Sequence, residues 1–379
     1  MGCLSFFILH SSLLIVFVAR PFYERIDWTV VLCIVLLATI SLITLYSASA
    51  SSGGGMIRMS RQALWFVLGF VVIVIFTSID YHILSALAYP IYGVVVLALV
   101  AVLAIGEVRQ GAQRWVPLGP MSLQPAEMAK IALILALAKY FADKKKDTVY
   151  LIDLIVSGVL LGIPAVLILK EPDLGMTMLL LPIFAAIVFV AGLDWRYIVA
   201  IAVGGIFSMP IAWTHLKPYQ KDRLISFIRP ESDPLGSGYH VIQSKIAIGS
   251  GGFWGKGFMN GTQSQLNFLP EQFTDFIFSV FSEEWGFIGS VVLLSIYLIL
   301  ILKGLSIALK AKDKLGRLIA VGIVTILVVQ MFINVGVTTG IMPVTGLTLP
   351  FISYGGSSIF SISIVLGLLL NVGYRRFEF

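Results

Sequence analysis

The chain has 379 residues, of which 58% are hydrophobic and only 12% are charged. Soluble domains carry about 25% charged residues, so this composition excludes an ordinary soluble enzyme and predicts a polytopic membrane protein. The net charge of +6 does not indicate nucleic-acid binding, because the Lys and Arg residues lie in loops that flank apolar runs, where membrane topology requires them.

Apolar runs of about 17–25 residues are typical of membrane-spanning helices, because the hydrocarbon core is about 30 Å thick. We predict an all-α polytopic membrane protein, a bundle of about ten transmembrane helices with a large extracytoplasmic loop, residues 213–275, between helices 7 and 8. This loop is expected to fold back over the bundle as short amphipathic helices. The predicted segments are 29–46, 63–79, 83–105, 126–142, 149–169, 174–191, 197–212, 276–302, 318–340 and 347–372.

A further apolar run at 3–19 precedes Arg20. It is interpreted as an extra helix, an interfacial segment or an over-extended start of the reading frame. A cleaved signal peptide is disfavoured, because no basic region precedes the run and no small-residue cleavage site follows it. Residues 1–25 are therefore treated as an N-terminal extension, and residues 26–376 as the transmembrane domain.

The distribution of basic residues predicts the orientation. With the segment before Asp27 inside, thirteen Lys and Arg residues fall on the inner side, against five in the short outer loops. Both termini are therefore expected in the cytoplasm, and the 213–275 loop outside it. Most polar residues of interest then fall on the outer side, where we expect any chemistry to occur.

The stretch TDFIFSVFSEE begins an apolar segment with a carboxylate, Asp275. In a helix, Ser279 and Ser282 would share the face of Asp275, and this stripe is interpreted as the wall of a polar cavity. Asp275 is the catalytic candidate and Ser279 a substrate-binding candidate, whereas a helix cap is the alternative for Asp275. Glu283 and Glu284 would lie about 12–14 Å deeper on different faces, and are interpreted as structural.

Three further charged residues lie near predicted outer helix ends. Glu127 and Lys130 are three residues apart on the helix that Pro125 opens, close enough to pair. They either form a structural ion pair or contribute to the outer cavity. Arg114, beside Trp115, is either an interfacial anchor or a bidentate ligand for phosphate. All three are substrate-binding candidates.

Other stretches contain turn-forming residues at the expected outer surface. GSGGFWGKG is not a phosphate-binding P-loop, because Ser250 replaces a required glycine and Gly257 follows Lys256 where Ser or Thr is needed. Its amides, with Lys256, could still cradle a diphosphate, and a flexible turn is the alternative. In KEPDLG helix capping is the simplest interpretation. In GLTLPFISYGGSS, Pro350 and the glycines predict a broken helix, tolerated where the freed backbone groups are buried or line a cavity.

These motifs, in this order, resemble the SEDS family (shape, elongation, division and sporulation proteins). The resemblance covers residues 26–376, and the long loop is similar to that of elongation-type members rather than division-type members. The stretches that carry it are GAQRWVPLG, QPAEMAKIA, EPDLGMT, PESDPLGSGYHVIQSKIAIGSGGFWGKG, GTQSQLNFLPEQFTDFIF and GLTLPFISYGGSS.

The resemblance implies a peptidoglycan glycosyltransferase of the bacterial cytoplasmic membrane that polymerises lipid II during cell elongation and releases undecaprenyl diphosphate. The family's essential aspartate falls on Asp275, its arginine on Arg114, and its glutamate and lysine on Glu127 and Lys130. The implied partners are a class B penicillin-binding protein, which supplies the transpeptidase, membrane lipids and other elongation-complex proteins, with no nucleic acid. A divalent cation, Mg²⁺ or Mn²⁺, at the diphosphate is compatible with this chemistry, although the sequence shows no dedicated metal site.

Two other functions remain open at this point. A lipid II transporter (flippase) would carry charged residues throughout the membrane depth, whereas here they concentrate on the expected outer side. A non-catalytic scaffold of the elongation complex would make Asp275 dispensable.

Overall fold

A computed structural model describes the chain from residue 26 to residue 376, except for 51–53, 110–111, 119–120, 145–147, 198, most of 201–235, 267 and 270. The N-terminal extension, residues 1–25, and most of the predicted segment 197–212 lie outside the described residues. By length and composition, seven of the described helices are long and apolar enough to cross a membrane. The exact number of transmembrane helices, about ten, therefore stays a prediction.

The first four helices agree with the apolar runs, with one correction. Helices α1 (Trp28–Ala50) and α2 (Gly55–Ser78) are continuous spans. The predicted segment 83–105 is instead divided into α3 (Tyr81–Ala86) and α4 (Ala88–Ile105). The side chain of Asp80 caps α3 by accepting a hydrogen bond from the amide of His82, so a short helix begins before the span.

A small antiparallel sheet follows α4, which the all-α prediction did not include. Its strands are β1 (Glu107–Arg109), β2 (Ala112–Leu118) and β3 (Met121–Leu123), in the order β1-β2-β3. The segment is too short and polar to span a bilayer, and its backbone groups pair with each other between two spans. The fold class is nevertheless correct for the membrane domain itself.

Helices α5 (Pro125–Ala142), α6 (Leu151–Lys170) and α7 (Leu174–Val190) come next. Helix α5 has charged side chains near both ends, yet most of its residues are buried. Charged groups at membrane depth are tolerated where protein rather than lipid surrounds them. Helix α5 therefore lies in the centre of the bundle, where it contacts α4, α7 and the later span Lys314–Thr338.

The described part of the predicted 213–275 loop contains α8 (Ser237–Gly251) and the one-turn helix α9 (Thr262–Gln265). Helix α8 packs on the following long helix, α10 (Ile277–Leu309), and α9 contacts α1. The expectation that this loop folds back on the bundle as short helices is confirmed for the described residues.

The last spans are α10, α11 (Lys314–Thr338) and α12 (Gly356–Arg375). Helix α10 is interrupted at Gly286, where φ is +63°. Residues 339–355 are non-helical, which confirms the predicted broken element, although the final helix begins at Gly356 rather than near residue 347. Among the seven long apolar helices, α12 is the most enclosed, with 83% of an 18-residue apolar stretch buried, against 17% for the corresponding stretches of α2 and α4.

Two polar regions lie at opposite ends of this bundle. The Asp275 end comprises the sheet, the α6–α7 turn, the 252–276 segment and the 339–355 segment. The Asp313 end comprises α3, the α10–α11 turn and the last residues of α5 and α12.

Candidate active site

Asp275 lies in the turn formed by residues 271–276, immediately before α10, and its side chain is half-buried. The side-chain amide of Asn334, on α11, donates to the backbone oxygen of Asp275 at 3.0 Å and to that of Leu347 at 2.9 Å. A carboxylate oxygen of Asp275 lies 3.8 Å from where a Cβ on Gly346 would stand. The carboxylate therefore lies against the non-helical 339–355 segment.

The expected polar stripe of Asp275, Ser279 and Ser282 is wrong in its geometry. Asp275 precedes the helix, so helical spacing does not place it on one face with the two serines. Ser279 is buried, and its hydroxyl lies 2.6 Å from the hydroxyl of Ser244, which donates to the oxygen of Thr338 at 2.6 Å. The Ser279 hydroxyl thus helps to attach α8 to α10 and α11, and a role in substrate binding stays a prediction.

Backbone hydrogen bonds fix the turn that carries Asp275. The amide of Tyr354 donates to the oxygen of Phe273 at 2.8 Å. The hydroxyl of Ser353 donates to the oxygen of Thr274 at 2.6 Å and accepts from the amide of Leu349 at 2.8 Å. Two non-helical segments from distant parts of the sequence therefore hold each other in place next to the catalytic candidate.

Arg114, on β2, points to the turn between α6 and α7. Its Nε donates to the oxygen of Glu171 at 3.1 Å, and a second nitrogen donates to the oxygen of Pro172. The guanidinium lies 3.6 Å from a carboxylate oxygen of Asp173, to which Gln124 also donates at 3.2 Å. Arg114 is thus a bridge between the sheet and this turn, and neither an isolated interfacial anchor nor a phosphate ligand ready for use.

A chain of contacts joins the α6–α7 turn to the neighbourhood of Asp275. The amide of Gln124 donates to the hydroxyl of Ser357, at the start of α12, at 3.1 Å. Gly175 packs so closely on the 339–355 segment that a Cβ there would stand 2.5 Å from the oxygen of Thr345. Arg114 and Asp275 therefore belong to one polar junction, connected through residues 339–358.

Glu127 and Lys130 form the pair that their spacing predicts. Their oxygen and nitrogen are 2.5 Å apart, and the hydroxyl of Ser361 donates to the same oxygen of Glu127 at 2.5 Å. The two residues are 5% and 1% exposed. The charges compensate each other inside the protein, one helical turn below Ser357, so this geometry favours the structural ion pair over direct substrate binding.

Glu171 was treated in the sequence only as part of a helix cap, yet it is fully buried. Among the described residues, neither of its carboxylate oxygens has a hydrogen-bond partner. Burial, with the nearby charge of Asp173, raises the pKa of Glu171 to about 8, although the charge of Arg114 opposes the shift. In the sequence, the only sign that Glu171 could be unusual was its place directly before the proline of EPDLG.

The glycine-rich loop after α8 is built into the interruption of α10. The amides of Lys256 and Gly257 donate to the oxygens of Glu283 and Glu284, both at 3.0 Å, and the amide of Phe287 donates to Gly252 at 2.9 Å. These bonds satisfy the backbone groups that the break at Gly286 frees. The amides of Lys256 and Gly257 therefore do not cradle a diphosphate, and the loop is not a flexible turn.

Lys256 is held by the same arrangement. Its Nζ lies 2.7 Å from a carboxylate oxygen of Glu283 and 2.7 Å from the hydroxyl of Thr262. Glu283 also accepts from the amides of Gln263 at 3.0 Å and Ser264 at 3.3 Å. Glu283 is thus structural, as predicted, and Lys256 is its partner rather than a cation ready to receive substrate.

Glu284 likewise has a structural contact, because the hydroxyl of Ser47 donates to its carboxylate. The side-chain amide of Gln265, on α9, donates to the oxygen of Ser47 at 3.0 Å. Helices α1, α9 and α10 therefore meet around this buried acid.

Lys245 is a cation at this end that the sequence reasoning did not single out. It is exposed on α8, and a Cβ on Gly340 would overlap the end of its side chain. Within the described part of the chain, its ammonium group forms no ion pair or hydrogen bond. It therefore lies beside the 339–355 segment without a compensating carboxylate there.

No group of three His, Cys, Asp or Glu side chains within the described ranges could hold a metal ion. Chemically, the Asp275 end offers a half-buried carboxylate fixed by its backbone, and an exposed lysine next to the same non-helical segment. A carboxylate in this setting can accept a proton, and a cation can stabilise negative charge on a departing group.

Comparison with known proteins gives consistent matches over almost the whole chain. The family FtsW/RodA/SpoVE, described as cell cycle proteins, matches residues 27–377. The peptidoglycan glycosyltransferase MrdB of Escherichia coli (strain K12) is 40% identical over 361 residues, which cover 94% of this chain and 96% of that protein. The peptidoglycan glycosyltransferase RodA of Treponema pallidum is 34% identical over 424 residues, which cover 92% of this chain and 98% of that protein.

Solved structures are similar as well. A chain from a peptidoglycan synthase complex, solved to examine the coordination of polymerization and crosslinking, has a TM-score of 0.81 at 36% identity, covering 93% of this chain and 99% of that one. The rod shape determining protein RodA of Thermus thermophilus has a TM-score of 0.71 at 32% identity, and the match covers 93% of this chain and 98% of that one.

Proposed function

The chain belongs to the FtsW/RodA/SpoVE family of cell cycle proteins, and on that premise we propose that it is a peptidoglycan glycosyltransferase that polymerises lipid II during cell elongation. The similarity extends over the full fold, including every stretch that forms the polar junction around Asp275. The observation that carries the assignment of the site is the half-buried Asp275, whose backbone oxygen accepts a hydrogen bond from Asn334 and whose carboxylate lies against the non-helical 339–355 segment.

The reaction joins two lipid-linked sugars. The acceptor hydroxyl oxygen attacks the anomeric carbon of the donor, the bond from that carbon to the diphosphate oxygen breaks, and undecaprenyl diphosphate leaves. Asp275 accepts the proton of the acceptor hydroxyl, a step that contributes about 10²–10⁴ to the rate in enzymes that use it.

The leaving diphosphate carries developing negative charge, which a nearby cation would stabilise. Lys245 suits this role better than Lys256 or Lys130, because those two ammonium groups are already paired with Glu283 and Glu127. A divalent cation, Mg²⁺ or Mn²⁺, would enter bound to the diphosphate oxygens, since no cluster of protein ligands forms within the described residues.

The proposed setting is the bacterial cytoplasmic membrane, with both termini in the cytoplasm and the Asp275 end outside it. The excess of basic residues in the predicted inner loops supports this orientation. We further propose a class B penicillin-binding protein as partner, which the similarity to a chain of a peptidoglycan synthase complex supports.

The decisive experiment gives purified protein lipid II and measures glycan chains on a gel. Wild type is expected to form polymer, and Asp275→Asn and Asp275→Ala are expected to lose it while unfolding at the same temperature as wild type. Glu271→Gln is the matched control, because Glu271 is an exposed acid in the same turn and should retain activity.

The same assay separates the alternatives. Wild-type polymer formation by Asp275→Asn would exclude Asp275 as the base. If no variant and no wild-type sample polymerises, but lipid II crosses liposome membranes with the protein present, the protein is a transporter. If the protein shows neither activity, either alone or with a penicillin-binding protein, the remaining hypothesis is a non-catalytic scaffold.

A further inference from the structure

The turn at residues 349–352 contains a strained residue to which the proposed reaction gives no role. The amide of Ile352 donates to the oxygen of Leu349 at 3.1 Å, Pro350 occupies the second position, and Phe351, in the third, has a φ of +63°. This is the pattern of a type II β-turn, whose third position favours glycine because a side chain there is strained. Strain of this kind persists only where the surrounding structure enforces it, and it is concentrated at functional sites.

The side chain of Phe351 is an anchor inside the bundle. It is 3% exposed, and its ring stacks on the ring of Phe66, on α2, with the centroids 5.9 Å apart and the planes 6° apart. Aromatic pairs at this separation attract each other beyond the area that they bury. A glycine in this position would remove the strain but would also remove the anchor. The ring therefore fixes where the turn lies against α2.

Side chains from three helices bind the backbone oxygens of the same turn. The hydroxyl of Tyr297, on α10, donates to the oxygen of Pro350. The hydroxyl of Ser41, on α1, donates to the oxygen of Ile352 at 2.9 Å, and the amide of Gln62, on α2, donates to the next backbone oxygen at 3.1 Å. All three side chains are fully buried. The strained conformation is thus held from three helices at once.

The turn that is held in this way in turn holds the segment that carries Asp275. The hydroxyl of Ser353 donates to the oxygen of Thr274, and the amide of Tyr354 donates to the oxygen of Phe273. The two acceptors precede Asp275 by one and two residues. A shift of the 349–352 turn would therefore be passed directly to Asp275.

A second contact limits how far Asp275 can move. Asn334, on α11, donates to the backbone oxygens of Asp275 and Leu347 independently of the 349–352 turn. Loss of one donor to the turn should therefore loosen the Asp275 segment without unfolding it. A misplacement of about 1 Å can reduce an enzymatic rate about 10²-fold, so a partial loss of order should be visible in turnover.

We propose that Phe351 and Tyr297 are positioning residues for Asp275, which hold its carboxylate where the acceptor hydroxyl must meet it. Phe351 supplies the strained, ring-anchored turn, and Tyr297 holds that turn from α10. Both side chains are buried in the bundle, so they act through the Asp275 segment rather than by touching substrate. This inference rests on the proposed glycosyltransferase function. The alternative is a turn that contributes only to stability.

The first test is Tyr297→Phe, which removes the hydroxyl donor and retains the ring. Polymerisation by the purified full-length protein is measured over a range of lipid II concentrations. We expect kcat to fall about tenfold with KM unchanged, because the substrate contacts remain and only the position of the base is loosened.

Tyr92→Phe is the matched control. The hydroxyl of Tyr92 also donates to a backbone oxygen, that of Leu160 at 2.8 Å, but this bond joins α4 to α6. Both substitutions remove one hydroxyl and leave a backbone oxygen without its donor, so both should lower the unfolding temperature. Only Tyr297→Phe should lower kcat.

Phe351→Gly tests the anchored turn itself. Glycine adopts positive φ without strain but also leaves it freely, and the contact with Phe66 is lost. We expect kcat to fall at least about tenfold at unchanged KM. If this variant does not fold, Phe351→Leu replaces it, because leucine keeps an apolar side chain and lacks the ring.

Hydrogen–deuterium exchange provides a readout that does not require activity. In Tyr297→Phe and in the Phe351 variant, peptides covering 271–276 and 349–355 should exchange at least about tenfold faster than in wild type. Peptides within α5 should exchange as in wild type. In Tyr92→Phe, the peptides 271–276 and 349–355 should also exchange as in wild type.

The proposal is overturned if Tyr297→Phe retains the wild-type kcat, or if Tyr92→Phe loses as much activity as Tyr297→Phe does. Failure of the proposed function has a different signature, because wild type itself would then form no polymer. The exchange measurement still decides in that case. Wild-type exchange at 271–276 in both the Tyr297 and the Phe351 variants would show that these residues do not hold the Asp275 segment.

Discussion

Gly255 and Gly286 lie so close together that a Cβ on Gly255 would stand 2.7 Å from the amide nitrogen of Gly286. Both have positive φ, +84° and +63°, a region that residues with a side chain rarely adopt. The loop after α8 thus enters the interruption of α10 only because neither residue has a side chain. This contact fixes the first part of α10, which begins two residues after Asp275.

Gly286→Ala is expected to destabilise the protein by at least about 2 kcal/mol, from the unfavourable φ and from overlap with the Gly255 backbone. Thermal unfolding in detergent measures the loss, and polymer formation should fall with it. Gly249→Ala is the control, because Gly249 is helical and nothing lies within 4 Å of the added Cβ. A Gly286 variant as stable as its control would show that the close contact does not exist in solution.

The pair of Glu127 and Lys130 predicts an asymmetric result. Lys130→Met alone leaves the Glu127 carboxylate buried without its partner, so we expect a loss of about 3–5 kcal/mol. Combining it with Glu127→Gln should recover most of the stability. If the pair is purely structural, the folded double variant polymerises lipid II at nearly the wild-type rate. A stable but inactive double variant would instead return these residues to the substrate site.

Glu171 predicts a stability difference that depends on pH. In the folded protein the Glu171 carboxyl has a pKa of about 8, whereas in the unfolded chain its pKa is near 4.5. The protein therefore loses stability as pH rises between these values, and Glu171→Gln should remove that loss. The variant should unfold like wild type near pH 4 and at a higher temperature than wild type at about pH 9. Equal unfolding temperatures at both pH values would contradict the raised pKa.

Glu271→Gln is a suitable comparison for that experiment. It removes one carboxylate, as Glu171→Gln does, but from an exposed position. A trend shared by both variants would have to come from the titration of other groups.

Lys245 predicts a kinetic effect without a structural one. Because it is exposed, Lys245→Gln should leave the unfolding temperature unchanged and lower the rate of polymerisation about tenfold, as expected when a charge-assisted contact to a leaving group is lost. Lys245→Arg should retain more activity than Lys245→Gln. Lys221→Gln, another lysine of the long predicted loop, controls for net charge. An unchanged rate in Lys245→Gln would show that Lys245 does not stabilise the leaving diphosphate and that another cation does.

The spans were predictable because their signal is local. An apolar run long enough to cross a bilayer identifies a helix whatever surrounds it, and the i, i+3 spacing of Glu127 and Lys130 was sufficient to predict their pair. The limits of α6, α7 and α11 accordingly agree with the predicted segments to within a few residues.

The site was less predictable because its contacts are not local. Arg114 contacts backbone oxygens 57 and 58 residues further along the chain, and no spacing rule reveals that choice. Ser279 has helical spacing from Asp275, but the turn before α10 removes the relationship. Lys256 lies in a loop whose composition resembles a phosphate site, while its true partner, Glu283, is supplied by the following span.

Helix α11 begins beside Asp313, which accepts hydrogen bonds from Tyr81 and His82 at one membrane surface. Near its other end, Asn334 holds the backbone of Asp275. A helix of 25 residues is about 37 Å long and rigid over most of that length. A shift of its first turn must therefore either bend the rod or move Asn334. If α11 moves as a rod, a displacement at the Asp313 end therefore reaches the backbone of Asp275 through Asn334.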